Sequence, residues 1–303
     1  MSLHWTKAIR DFLLAIWRNF TKAWKDEEVK FRIVTAGKIT FIPVISIFLM
    51  LFLMFLFLRL NLGFFTAFDY FQGIPLEDIF YEYVLQNAFD QFPLFISLFV
   101  LQFLVGLYIA RLLLRPFVAI GDYAREVTEE GVDKASYDPD FFTDLKLLTR
   151  FSEYFFNWME NALKKGELEP VKIPSKFTQI HKPVFEKEFF IHYSFFIFVS
   201  SLLFGVINYS IIIEIQDNLI EFANETLPLT TEVNHFLLRQ SLLLEDILLG
   251  VVFLHILLNL TLAINLYSKV SGPAFGLFAT MRSFIKGNYK ARVHLIGYYY
   301  VRK

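Results

Sequence analysis

Residues 39–58 read ITFIPVISIFLMLFLMFLFL, twenty positions without one charged side chain. The hydrocarbon core of a bilayer is roughly 30 Å thick and takes about 20 helical residues to cross. The stretch therefore reads as a membrane span, with Pro43 and Ser46 its main interruptions. Three further runs fit the same rule: Pro93–Ala110, with one amide at Gln102, then Phe189–Ile213 and Ile247–Tyr267. None alternates apolar with polar residues, which argues against a β-barrel. A charged segment precedes the first run and no small-residue cleavage site follows it. It is expected to be a retained span and not a removed signal peptide.

The rest of the chain agrees. Of 303 residues, 55% are hydrophobic, 18% aromatic and 19% charged, and 38 are Phe. The mean hydropathy is +0.47. Such a composition excludes a disordered chain, a fibrous repeat and an ordinary cytosolic enzyme. A formal charge of −1 excludes nucleic-acid binding driven by net charge. With no Cys there are no disulfides, thiolate metal sites or thiol nucleophiles.

Lys and Arg mark the two sides of the membrane. Residues 1–38 hold 8, residues 62–92 none, residues 111–188 hold 12, residues 214–246 one, and residues 268–303 hold 7. Arg59, at the far end of the first span, is placed to snorkel to the interface. This alternation is a positive-inside pattern. It predicts a multi-pass protein of a bacterial inner membrane with both termini cytoplasmic. The two outward segments are acidic, but neither has the Gly-punctuated spacing of a calcium loop. Each is expected to be helical. Pro75 opens a helix through Glu82 and Phe89, and Thr230 or Thr231 caps one that continues into the fourth span.

A pattern of span, short outer segment, span and basic amphipathic stretch occurs twice. After the second span come Pro116, Phe117, Ile120, Ala124 and Val127; after the fourth come Pro273, Ala274, Leu277, Met281 and Phe284, each shifted by 157 positions. The spacing is that of a coiled-coil seam. The two stretches then meet Gly131 and Gly287, where a left-handed C-terminal residue is expected.

On these residues the chain resembles the HAMP domain, a relay module of bacterial sensor kinases and chemoreceptors. Residues 116–166 are similar to the whole module. Its second helix would run from about Thr143 to Lys164 with Leu148, Phe155, Met159 and Ala162 on one side, and Phe156-Asn157-Trp158-Met159 matches the family's F-N-x-M ending. Phe141-Phe142-Thr143-Asp144 stands where the family has an acidic residue pair with Gly, and Ser152 where it has a core Leu. Residues 273–295 resemble only the first helix and connector, and the chain stops at Lys303 before a second helix. The resemblance implies a parallel four-helix bundle of two chains, hence a homodimer, whose core shifts to pass a signal to an output domain. The chain has no Gly-rich ATP loop, kinase signature or long methylated hairpin, so a separate output partner is expected. The other arrangement packs the two copies within one chain, with the N-terminal helix or a partner in the fourth position.

Residues 3–25 place Trp5, Ile9, Phe12, Ile16, Trp17, Phe20 and Trp24 on one helical face, with Lys7, Arg10, Arg18, Lys22 and Lys25 mostly elsewhere. The pattern predicts a helix lying in the membrane interface, held by the lipid bilayer. The alternative is that the same face packs on another helix of the protein or of a partner. Inside the spans, Gln102, His192, Asn208, His255, Asn259 and Asn265 are polar. His255 and Asn259 share a helix face. They read first as interhelical hydrogen-bonding groups, and otherwise as part of a proton or ion pathway. No catalytic constellation, cofactor motif or metal-ligand spacing occurs, so no enzyme activity, cofactor or metal is expected.

The expected fold is an all-α membrane protein: four transmembrane helices as two repeated hairpins, each followed by HAMP-like amphipathic helices. The expected division is 1–38 amphipathic helix, 39–115 first hairpin, 116–166 HAMP-like module, 167–188 linker, 189–267 second hairpin and 268–303 partial module. The expected function is signal relay or coupling. A structural or assembly subunit of an envelope complex is the alternative, followed by a transporter or channel component.

Overall fold

The structure is a computed structural model, and it describes residues 24–68, 76–131, 135–137, 139, 145–226 and 231–292. Seven α-helices occur among them, and no strand: α1 (Glu27–Ala67), α2 (Leu76–Asp90), α3 (Phe92–Glu130), α4 (Lys146–Lys165), α5 (Ser175–Thr178), α6 (Lys187–Thr226) and α7 (Thr231–Ile285). α1, α3, α6 and α7 are each long and apolar enough to cross a membrane. They contain the four runs expected to span.

The helices are longer than the runs. At 1.5 Å per residue α1 extends roughly 60 Å and α7 roughly 80 Å, well past a 30 Å hydrocarbon layer. Three prolines lie within them, Pro43 in α1, Pro116 in α3 and Pro273 in α7. A proline removes one bond to the carbonyl four residues back, yet here the turns on either side persist. The stretches after Pro116 and Pro273 are therefore continuations of membrane helices and not separate helices. They end at Gly131 (φ 91°) and Gly287 (φ 96°). At the second of these, Gly287 N–H donates to Phe284 O (2.9 Å) and Asn288 N–H to Ser283 O (3.2 Å), the paired bonds of a glycine-terminated helix.

The chain divides into two compact units, and α1, α3, α6 and α7 each contribute to both. The unit of residues 37–105 and 196–262 is an apolar bundle. Ile47, Met50, Met54, Leu58, Leu62 and Phe65 recur at three and four positions along α1 and are buried against Phe204, Ile212, Leu219, Leu244 and Leu248. The opposite side of α1, including Phe41, Phe48 and Phe52, is exposed, as suits a hydrocarbon solvent. α2 docks by its aromatic face, with Tyr83 stacked on Phe222 at 4.5 Å and Phe80 edge-on to the same ring at 5.2 Å.

The unit of residues 1–36, 106–195 and 263–303 holds the remaining helices. α1 and α3 meet in it at Ala36 and Gly106, where a β-carbon on Gly106 would stand 2.7 Å from Ala36 Cα. Only glycine fits, because the obstacle is backbone. Gly106→Val is expected to force these backbones apart at a cost of about 1–3 kcal/mol. Gly63→Ala, with open space around it, should leave stability unchanged or raise it. Thermal midpoints of the two detergent-solubilised variants check both, and equal midpoints would refute the close-packing argument.

Candidate functional site

The residues that carry the relay expectation lie in the first unit, that of residues 1–36, 106–195 and 263–303; the second unit is that of residues 37–105 and 196–262. α4 is a 20-residue helix ending at Gly166 (φ 73°). A helix of that length is marginal alone in water, so its apolar side needs a cover. α7 provides it: Phe151 meets Phe278 edge-on at 4.7 Å, Phe155 and Trp158 lie 6.0 and 6.1 Å from Phe284, and Ser152 Oγ lies 3.9 Å from Met281 Sδ. The seam after Pro273 thus packs on α4 of the same chain. Ser152 is fully buried, a small residue beneath Met281.

Pro116, Phe117, Leu148, Pro273, Ala274 and Met281 are buried, Ile120, Val127, Phe155, Met159, Leu277, Phe284 and Gly287 half-buried, and Ala124 and Gly131 exposed. Trp24 is 39% exposed, 6.0 Å from the Lys30 ammonium. Trp5, Ile9, Phe12, Ile16, Trp17 and Phe20 lie outside the described residues.

On its second side α4 meets α3, where Phe156 and Tyr123 lie 4.3 Å apart and Tyr137 joins them at 5.0 and 5.6 Å. Burial, and then the Glu160 carboxylate, push the Tyr123 phenol above its ordinary pKa. Beside this cluster an apolar groove of about 190 Å³ is open, lined by Ala124, Val127, Phe155, Met159 and Leu163 among others.

Three attachments found here were not apparent from sequence. The first holds the N-terminus of α4, whose backbone N–H groups lack partners within the helix. Glu186 supplies them: Leu147 N–H donates to its Oε1 at 2.9 Å and Lys146 N–H to its Oε2. Glu186 stands one residue before α6. Its own N–H donates to the Tyr267 hydroxyl at 2.7 Å, and that hydroxyl donates to Val184 O at 3.0 Å. Lys146 also pairs with Glu188. Burial pushes the Glu186 carboxyl above the usual carboxylate range; the two amides, with Lys146 and Arg150, pull it back in part. So the start of α4, the entry to α6 and a tyrosine of α7 form one hydrogen-bonded knot.

The second attachment is residues 167–188, expected as a plain linker. This segment straps the end of α7. Arg282 donates to Phe177 O (3.2 Å) and Ile180 O (2.6 Å), Val171 N–H to Ile285 O (3.3 Å), and the Tyr289 hydroxyl to Leu168 O (2.8 Å). Ile173 and Phe177 are buried beneath it. The third is the Tyr193 hydroxyl of α6, which donates to Ala263 O of α7 at 2.6 Å.

The second unit has its own polar centre. Asn259 Nδ2 faces His255 Nε2 at 3.4 Å, and Nδ1 of the ring lies 2.8 Å from Ser46 Oγ, which donates to Ile42 O at 3.0 Å. This chain of bonds runs through both ring nitrogens. It joins α1 to α7 while Phe204 of α6 stacks on the ring at 5.9 Å. His255, Asn259, Asn208 and Gln102 are buried, His192 is half-buried and Asn265 exposed. His255 makes an interhelical bond, whereas the bonds of Asn259 run to His255 within α7.

Glu186→Ala is expected to weaken the start of α4 by about 0.5–2 kcal/mol, the usual loss for an N-terminal cap. Hydrogen exchange of Lys146 and Leu147 should then accelerate about 2- to 30-fold, and unchanged exchange would show that Glu186 does not hold the helix. Comparison of the chain with protein-family models, with curated proteins and with solved structures gives no match, so what it does rests on its own residues.

Proposed function

We propose that this chain is a polytopic membrane protein that relays conformational state between its membrane helices and a separate output protein, through helices of HAMP type. The observation that carries the reading is the knot at Glu186. One carboxylate ties the N-terminus of α4 to the entry of α6, and one tyrosine ties that entry to α7. α4 is also packed along α7 by Phe151 and Trp158. A rotation or shift of α6 or α7 about its axis is thereby handed to α4 as a displacement of a whole helix, a form of movement that packed helices transmit well. The resemblance of residues 116–166 and 273–287 to HAMP helices supports the same reading. The distribution of Lys and Arg supports an orientation with these helices on the cytoplasmic side of a bacterial inner membrane.

The orientation has a direct test, since the chain is free of Cys. Single Cys at Ala67 or Asn224, both exposed, should react with a membrane-impermeant maleimide added to intact cells. Cys at the exposed Ser136 or Asn288 should react only after lysis. The reverse pattern would overturn the orientation.

The relay has another. A β-carbon at Gly205 would stand 3.1 Å from Val252 Cγ1, so Gly205→Leu strains α6 against α7 within the second unit. A single Cys replacing the buried Ser152 of the first unit reports on the packing of α4. Relay predicts that Gly205→Leu changes the labelling rate at position 152 about threefold or more, since local opening responds to small changes in free energy. An unchanged rate in a protein that stays folded would count against it.

A further inference from the structure

The strap between α4 and α6 ends in residues 181–187, a loop that the structure holds in place and leaves uncovered. Arg282 fixes the turn before it through Phe177 O and Ile180 O. Tyr267 fixes its far side, donating to Val184 O and accepting from Glu186 N–H. Despite these pins the apolar side chains of the loop are not tucked in: Val184 is 44% and Phe185 59% exposed. Phe185 rests on Tyr267 and Phe190, with ring centroids 5.0 and 5.3 Å away. We propose that this loop is a docking site for anionic lipid, with Val184 and Phe185 set into the acyl boundary and Lys182 and Lys187 on the headgroup phosphates.

The position along α6 points to lipid. α6 is one of the helices long and apolar enough to cross a membrane. Lys187, Ile191 and Phe195 follow one another at four-residue spacing and so share a face of it. Ile191 is 50% and Phe195 58% exposed, as expected of the outward side of a span in hydrocarbon. Lys187 heads the same row, about 6 Å along the axis from Ile191. A lysine there lays its stem on the acyl region and its ammonium among the headgroups. Phe189 opens the third apolar run and Tyr267 closes the fourth. Both lie in the ring cluster that holds Phe185. Aromatic side chains collect at this depth of a bilayer, so Phe185 stands level with the interface.

Charge selects the kind of lipid. Residues 170–187 carry Lys172, Lys176, Lys182 and Lys187 against one acid, Glu186. Glu186 is taken up by the amides of α4, and the neighbouring Glu188 by Lys146. Lys182 and Lys187 are exposed, and no acid pairs with either among the described residues. Unpaired lysines on both sides of an exposed aromatic suit an anionic bilayer surface. Because the loop is already pinned, it loses little freedom on binding. The inference rests on α6 crossing a membrane and not on the relay of a signal.

The test uses the full chain, which is free of Cys, with Val184→Cys carrying a bimane fluorophore. It is reconstituted in vesicles of equimolar phosphatidylglycerol and phosphatidylcholine, with only one of the two lipids brominated at a time. The same label on Phe48→Cys, a position 68% exposed on α1, reports on membrane insertion. Quenching at position 184 should be at least about twofold stronger with bromine on phosphatidylglycerol, since each lysine near the surface favours anionic lipid. At position 48 the two lipids should quench alike. Lys182→Gln with Lys187→Gln should make them alike at position 184 too, with quenching at position 48 unchanged. Equal quenching at position 184 in the parent chain would overturn the proposal, as would a preference that survives both substitutions. Quenching at position 48 with none at position 184 would also overturn it, since the loop would then lie clear of the bilayer. Loss of quenching at position 48 would instead overturn the membrane-spanning reading, and the proposal with it.

Discussion

A backbone that enters hydrocarbon must satisfy every N–H and C=O within itself, and in a chain with no strand among its described residues that means helices. Here the constraint reaches beyond the bilayer. Helices of 41, 39, 40 and 55 residues overrun the roughly 20 that a membrane requires. Their ends are stiff extensions of the spans. Phe278, Met281 and Phe284 belong to the same helix, α7, as Val251 and His255. α3 likewise carries Tyr123. The packing of α4 is thus built on membrane helices rather than on a domain with a core of its own.

Within that frame, polar groups do the positioning and aromatic rings do the filling. Glu186 is a charged side chain at the edge of a span, where solvation is the ordinary expectation. It is instead turned onto two backbone amides. Burial makes its charged form less favourable, and the amides offset part of that cost because they would otherwise be unpaired at a helix start. Arg282 uses its guanidinium in the complementary way, donating to two carbonyls of the strap. His255 and Ser46 fasten α7 to α1 with neutral groups, in keeping with the high cost of charge inside a bilayer.

Much of the fold was legible because its signals are local. The four apolar runs, the helix after Pro75, the helix start at Thr231 and the left-handed glycines at 131 and 287 each depend on a few neighbouring residues. The seam residues were found less evenly. Leu148 and Met281 are buried, Phe155 and Met159 half-buried and Ala124 exposed. The residues most deeply engaged, Phe151 and Phe278, were not singled out. The reason is that α4 is covered from two directions, by α7 on one side and α3 on the other. A single stripe drawn from periodicity falls between the two. The knot at Glu186 and the strap on Arg282 join residues 40 and more than 100 positions apart, and nothing in a local pattern specifies such pairings.

The two sides of α4 differ in a way that bears on movement. Toward α7 it is held by interlocked rings, a buried serine under Met281 and a capped N-terminus, all of which must be disrupted together if the helix is to leave. Toward α3 the contact is a cluster of three aromatic rings at the edge of an open groove. Rings at 4.3–5.6 Å prefer several tilted arrangements of similar energy, each worth about 0.5–1.5 kcal/mol beyond area burial. The boundary with α3 is therefore the more compliant of the two. Displacement of α6 or α7 should reach the surface of this unit as a change in the width of the groove, along with a change in the exposure of Ser152 beneath Met281.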